Sequence, residues 1–127
     1  MTKILLDETK DARRAYIETH QDKLERLAEH GQAPTLMYIG CCDSRVEPGP
    51  LVGAGPGDVF VVRTVANIVP PPESPLASVV GSALEFGIDG LKIPHLAVCG
   101  HTDCGGIQAI EAGSEPTESH PHLRTAP

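Results

Sequence analysis

Apolar residues along this chain follow two different rhythms. Between residues 7 and 30 they recur at helical spacing. Tyr16, Ile17, Leu24, Leu27 and Ala28 share one face, and Glu8, Lys10, Asp11, Arg14 and Glu18 lie on the other. Asp7 suits the N-cap of this helix and Gly31 its stop. Three later segments are short, nearly continuous apolar runs. Thr35-Leu36-Met37-Tyr38-Ile39 ends at Gly40, Val59-Phe60-Val61-Val62 follows the turn Gly55-Pro56-Gly57-Asp58, and His95-Leu96-Ala97-Val98-Cys99 precedes Gly100. Strands buried on both faces read this way.

Helical spacing returns between the second and third runs. Ser74 is placed to cap a helix and Pro75 fits its first turn. Leu76, Val79, Val80, Ala83 and Leu84 form its apolar stripe, and Gly87 and Gly90 end it. Strand, helix, strand predicts a parallel, right-handed crossover unit. The fold class is therefore α/β, a parallel sheet core with flanking helices. A short helix is expected from Gly105 to Ala112, stopped by Gly113. Beyond it the chain is polar, contains proline and has no apolar period, which reads as loop or disorder.

Composition adds a constraint on stability. The 127 residues suit one domain of the common size of ~100–150. They include only two Tyr and two Phe, and no Trp, so the core rests on Val, Leu, Ile and Ala and is thin. A chain of this length buries only about two-thirds of its unfolded surface. Support from a metal or a partner subunit is expected. The formal charge of -7 argues against general binding to the nucleic-acid backbone, which needs clustered Lys and Arg. No apolar run reaches the ~18–20 residues that span a bilayer, and the first apolar run is too short for a signal peptide. The expected location is cytoplasmic. There cysteines serve as metal ligands or catalytic thiols more often than as disulfides.

Ligands collect at the carboxyl ends of strands in open parallel sheets, and two polar clusters occupy such ends. Gly40-Cys41-Cys42-Asp43-Ser44-Arg45 follows the first run, and Gly100-His101-Thr102-Asp103-Cys104-Gly105-Gly106 follows the third. If the strands are parallel, the clusters meet at one edge of the sheet. Thiolate and imidazole are the donors zinc prefers. His101 and Cys104, three apart, can face one ion if the segment turns as a helix, with Cys41 coming from the other loop. A bare H-x-x-C recurs by chance, and free cysteines are commonly buried as small apolar residues. Cys99, inside an apolar strand, and Cys42 are read that way. His95 precedes its strand and is not expected to be a ligand, and His120 and His122 lie in the solvated tail. Asp43 and Arg45, two apart, can form a bidentate pair. That pair either braces the loop or, beside a metal ligand, takes part in chemistry.

Cys41-x-Asp43-Ser44-Arg45 joined to His101-x-x-Cys104-Gly105-Gly106 resembles the β-class carbonic anhydrases. The stretch between the clusters is similar as well: Gly57-Asp58-Val59-Phe60-Val61-Val62-Arg63, Ala66-Asn67-Ile68, Ser82-Ala83-Leu84-Glu85-Phe86 and Val98-Cys99-Gly100-His101. The likeness covers about residues 33–112. It implies a Zn2+ cofactor held by Cys41, His101 and Cys104, and a catalytic dyad of Asp43 and Arg45. In a closed, inactive form Asp43 would take the fourth zinc position. The implied reaction is reversible hydration of carbon dioxide to bicarbonate and a proton, by a homodimer or larger homo-oligomer. The chain departs from the family at Cys42, where Ser or Ala is common, and at Thr64-Val65-Ala66, where Asn-Ala-Gly is usual. Family chains continue through a further strand and helices where this one has its polar tail, so it reads as C-terminally shortened.

The expected organisation is a helical arm over residues 1–32, an α/β zinc-binding core over 33–113 and a polar tail over 114–127. Two alternatives share the site: a carbonyl sulfide or carbon disulfide hydrolase on the same scaffold, and a catalytically inactive, truncated zinc-binding subunit. A thiol redox protein using Cys41 and Cys42 lacks the C-x-x-C spacing of that chemistry.

Overall fold

The computed structural model describes residues 2–74 and 77–113, with side chains from residue 8 onward. It divides into two compact units, Met1–Ala33 and Pro34–Pro127. The first is one long helix, α1, over Thr2–His30. It begins five residues before the expected cap, so Asp7 lies inside the helix rather than at its start. Gly31 ends it as expected, with φ +78 and its N–H donated to the Leu27 carbonyl at 3.0 Å. The axis is broken at His20, whose φ of −116 and ψ of 15 leave the helical region. One residue earlier the Thr19 hydroxyl donates to the Ala15 carbonyl at 2.7 Å, a back-bond that bends helices.

The second unit is built on three parallel strands in the order β2-β1-β3: β1 over Leu36–Cys41, β2 over Val59–Thr64 and β3 over His95–Cys99. A short helix, α2, covers Pro48–Leu51. The expected crossover helix is α3, Ala77–Glu85. It continues into a wider π turn over Phe86–Gly90, where the Leu91 N–H reaches the Phe86 carbonyl at 2.8 Å. Pro75 and Leu76 of the expected helix lie outside the described residues, as does the polar tail from residue 114 onward. The last helix, α4, spans Gly105–Glu111, and Gly113 follows it at φ +67.

Burial centres on β1, the middle strand. Met37, Tyr38 and Ile39 are fully buried, as its apolar run required. On one face the π turn closes over it. A Cβ on Gly87 would stand 2.9 Å from the Met37 sulfur, so glycine lets the turn approach without displacing the Met37 side chain. On the other face the Tyr38 ring occupies the space above Gly40. Burial, with Cys99 nearby, pushes the Tyr38 phenol's pKa up.

The flanking strands are less covered than their sequences suggested. In β3 only Ala97 is partly shielded, and Leu96 and Val98 are about half exposed. Cys99 is exposed for the same reason, because it lies on an edge strand. Cys42, just past the end of β1, is exposed too. The reading of both as small buried residues is therefore wrong. Val79, placed on the apolar stripe of α3 by its spacing, is 78% exposed.

Gly40→Ala tests the Tyr38 packing. The new methyl would fall on the Tyr38 ring edge, and its Cζ and Oη lie 3.1 Å away. Urea denaturation of the metal-free protein should show a loss of about 1–3 kcal/mol, the usual cost of overpacking a core.

Candidate metal centre

Parallel register sets the site. Gly40 pairs with Cys99, so β1 and β3 finish side by side and their loops leave from the same edge. Cys41 is the last residue of β1 and is 5% exposed. His101 lies two residues beyond β3, and Cys104 is the N-cap of α4. The donor atoms of Cys41, His101 and Cys104 all lie within 4.8 Å of one another, and the two sulfurs are 3.8 Å apart. Among the described residues no other group of three such donors comes together.

The His101–Cys104 segment is not the helical turn that its spacing suggested. It is an irregular turn in which Asp103 adopts φ +53, a left-handed conformation that Asp tolerates better than most side chains. This residue lets the chain reverse so that His101 and Cys104 converge. Helix α4 then packs on the turn Val65–Asn67 through Gly106. A Cβ on Gly106 would stand 2.9 Å from both the Ala66 Cβ and Val65 Cγ1. Ala66 is buried at φ +58, a left-handed conformation that favours glycine.

The donor set fits a metal ion. His101 Nδ1 donates to the Thr102 carbonyl at 2.9 Å, which fixes the tautomer and leaves the Nε2 lone pair free. Nε2 is buried and has no hydrogen-bond partner. Buried polar atoms are rarely left so, and this one faces two thiols. Burial alone would push the Cys41 thiol up. The Asp43 N–H, 3.4 Å from its sulfur, together with His101, the Ala66 N–H and Cys104, pulls it down to about 7. The site thus favours the thiolate that metal binding needs.

Asp43 stands beside these donors. Its Oδ1 accepts from the Arg45 backbone N–H and from Arg45 Nε, each at 2.9 Å. Its Oδ2 accepts from an Arg45 terminal nitrogen at 2.7 Å and lies 3.8 Å from His101 Nε2. The Arg45 fork holds the Asp43 carboxyl well below the usual carboxylate range. A further bond from Arg45 to the Asp103 carbonyl, at 3.0 Å, ties the two loops together. Of the other candidates, His95 is exposed at the start of β3, Cys42 and Cys99 are exposed, and His120 and His122 lie outside the described residues. Composition and spacing gave no sign of what Arg63 does. It donates to the carbonyls of Cys41, Asp43 and Val46. A lone cation in an otherwise apolar strand was the one signal available.

A parallel α/β sheet carrying a Cys-His-Cys donor set at its strand ends defines a class of metal-binding protein, and comparison with known sequences and folds narrows it. The family described as "Carbonic anhydrase" matches residues 36–126. The chain belongs to this family, in its β class. It is 36% identical over 106 residues to a carbonic anhydrase of Synechocystis, covering 84% of this chain and 38% of that protein. With a carbonic anhydrase of Emericella nidulans it shares 42% over 94 residues, 74% of this chain and 40% of that one. The chain therefore spans well under half the length of these relatives. Its fold is similar to the β-carbonic anhydrase CcaA, with a TM-score of 0.84, 33% identity, and coverage of 96% of this chain and 54% of that one. It is similar also to two tetrameric β-carbonic anhydrases of Sordaria macrospora, with a TM-score of 0.72, 33% identity, and coverage of 93% and 57%. Relatives include chloroplastic and mitochondrial proteins of Arabidopsis thaliana. Among the described residues no helix is long and apolar enough to cross a membrane.

Two measurements test the site. In the metal-free protein the thiolate absorbance of Cys41 should rise near pH 7, and His101→Ala should move it upward. The folded pKa lies below the unfolded one. The stability it contributes is complete above the ordinary thiol range and is lost as pH falls through about 7. Gly106→Val should push α4 off the 65–67 turn and weaken metal affinity by roughly 10–100-fold, the scale of a lost supporting contact, as read by chelator competition.

Proposed function

We propose that this chain is the catalytic core of a zinc-dependent carbonic anhydrase that reversibly hydrates carbon dioxide to bicarbonate and a proton. The convergence of Cys41, His101 and Cys104 beside a carboxylate fixed by arginine carries this reading. Two thiolates and a neutral imidazole suit zinc, which takes nitrogen and sulfur donors in four-coordinate sites. When bound, zinc supplies the Lewis acidity that brings the pKa of water down to near ~7.

The protein's own residues arrange the rest. Asp43 remains ionised, so it acts only as an acceptor. Arg45 occupies Oδ1 with two donors and Oδ2 with one. The spare acceptor capacity is therefore on Oδ2, the oxygen nearer His101. In this reading Oδ2 accepts a hydrogen bond from the reacting water and turns its lone pair toward the carbon of CO2. The oxygen–carbon bond forms as one C=O π pair of CO2 moves onto its oxygen and the water gives up its proton to solvent, and bicarbonate leaves. Arg45 keeps Asp43 in this posture and off the metal. The reading extends to assembly: a homodimer or larger homo-oligomer would cover the half-exposed Leu96, Val98 and Phe86.

Asp43→Ala is expected to lower CO2 hydration on the order of 100-fold, within the range of a lost proton-handling group, with zinc content still near one per chain. Stopped-flow hydration on protein of measured zinc content reads both. Undiminished hydration would remove Asp43 from the mechanism. Turnover of carbonyl sulfide or carbon disulfide without CO2 hydration would replace the substrate, and zinc-loaded protein inert toward all three gases would leave only a binding role.

A further inference from the structure

The segment from Cys41 to Val46 carries a metal-ligand candidate and both members of the Asp43–Arg45 pair, yet beyond Cys42 no strand holds it. Its carbonyls are gathered by one side chain. Arg63, fifth residue of β2, pairs with Gly40 in the register and reaches past it. Its Nε donates to the Cys41 carbonyl at 3.0 Å. One terminal nitrogen donates to the Asp43 carbonyl at 2.8 Å and the Val46 carbonyl at 2.7 Å. The other lies 3.5 Å from Glu47. The side chain is 27% exposed, so most of it is spent inside the loop. The Val46 N–H also donates to the Asp43 carbonyl, at 3.0 Å, closing a tight turn around the same oxygen.

We propose that Arg63 is a positioning residue that sets the direction of the Asp43 carboxylate by fixing the Asp43 peptide. This rests on the reading of Cys41, His101 and Cys104 as a metal site with Asp43 at its open side. A peptide whose carbonyl is pinned by two donors has little freedom about its own Cα. The Cα–Cβ bond of Asp43 is thereby aimed before Arg45 engages the carboxylate. Arg45 acts on the side chain and Arg63 on the backbone beneath it. A guanidinium suits the task because its donors lie in a rigid plane and reach several acceptors at once, whereas a lysine ammonium concentrates its donors at one point. Without Arg63 the loop relaxes, and Asp43 is released from the posture that keeps it off the metal.

The test uses the full chain loaded with zinc for kinetics and with cobalt(II) for spectra, in wild type, Arg63→Met, Arg63→Lys, Asp43→Ala, Glu47→Ala and the Arg63→Met/Asp43→Ala double variant. Arg63→Met should keep about one metal per chain and a native far-ultraviolet circular dichroism spectrum, yet shift the cobalt ligand-field bands. That shift should vanish when Asp43 is absent. kcat should fall about 10-fold or more with KM little changed, as for a misplaced catalytic group. The losses from Arg63→Met and Asp43→Ala should not multiply in the double variant. Arg63→Lys should lie between wild type and Arg63→Met. Glu47→Ala, which removes the ion pair and leaves the three carbonyl bonds, should leave the bands unchanged.

A band shift that persists without Asp43, or losses that multiply, would overturn the proposal and leave Arg63 a stabiliser of the fold. So would a shift in Glu47→Ala. If Arg63→Met does not fold, Arg63→Lys is read the same way, and unshifted bands there overturn the proposal. The cobalt bands report on Asp43 whether or not the chain hydrates CO2. An inactive wild type would therefore sink the functional reading and leave this test intact.

Discussion

The parallel alignment of β1 with β3 is the constraint on which the rest of the site depends. Because Gly40 faces Cys99, two loops that are remote in sequence leave the sheet at one level. Cys41 and Cys104, 63 positions apart, become neighbours. A shift of one residue in that pairing would turn Cys41 to the opposite face of the sheet and dissolve the donor set. The packing of β1 defends the register. Met37 packs against Gly87 in the π turn that leads into β3, and a slip of β3 along β1 would pull that contact apart.

Around this frame the structure holds its polar atoms in layers. The thiol of Cys41 receives the amide of Asp43, and the Asp43 carboxylate receives Arg45. The Asp43 carbonyl receives Arg63. Each group is oriented by one further from the donor set, and the outermost is anchored in β2. All three strands thus contribute, β1 and β3 by bringing the candidate donors together and β2 by supplying the brace.

Much of this was legible in the sequence, and for identifiable reasons. Apolar runs that end in glycine and lead into Cys-x-Asp-Ser-Arg or His-x-x-Cys mark strand ends, because a parallel sheet exposes chemistry only there. What failed depended on neighbours that a strand's own residues do not name. Cys99 and Val98 look like core and lie on an edge. Val79 has the spacing of an inward face but is exposed. The His101–Cys104 turn relies on a left-handed aspartate at 103, which composition does not betray. The helix start moved from Asp7 to Thr2 because a good cap residue is also tolerated inside a helix. Arg63 escaped because its three acceptors sit 17 to 22 residues away in the chain.

Splitting the donors between two distant loops also has a consequence for how the molecule folds. A site whose ligands lie close in sequence can capture its ion early and so direct folding. Here the donors meet only after the strands have paired across the longest separation in the sheet, which makes assembly of the site a late event. An ion held there would act not as a nucleus for folding but as a latch on a finished structure. It would slow the rate at which the chain comes apart and leave the rate of first assembly to the apolar strands.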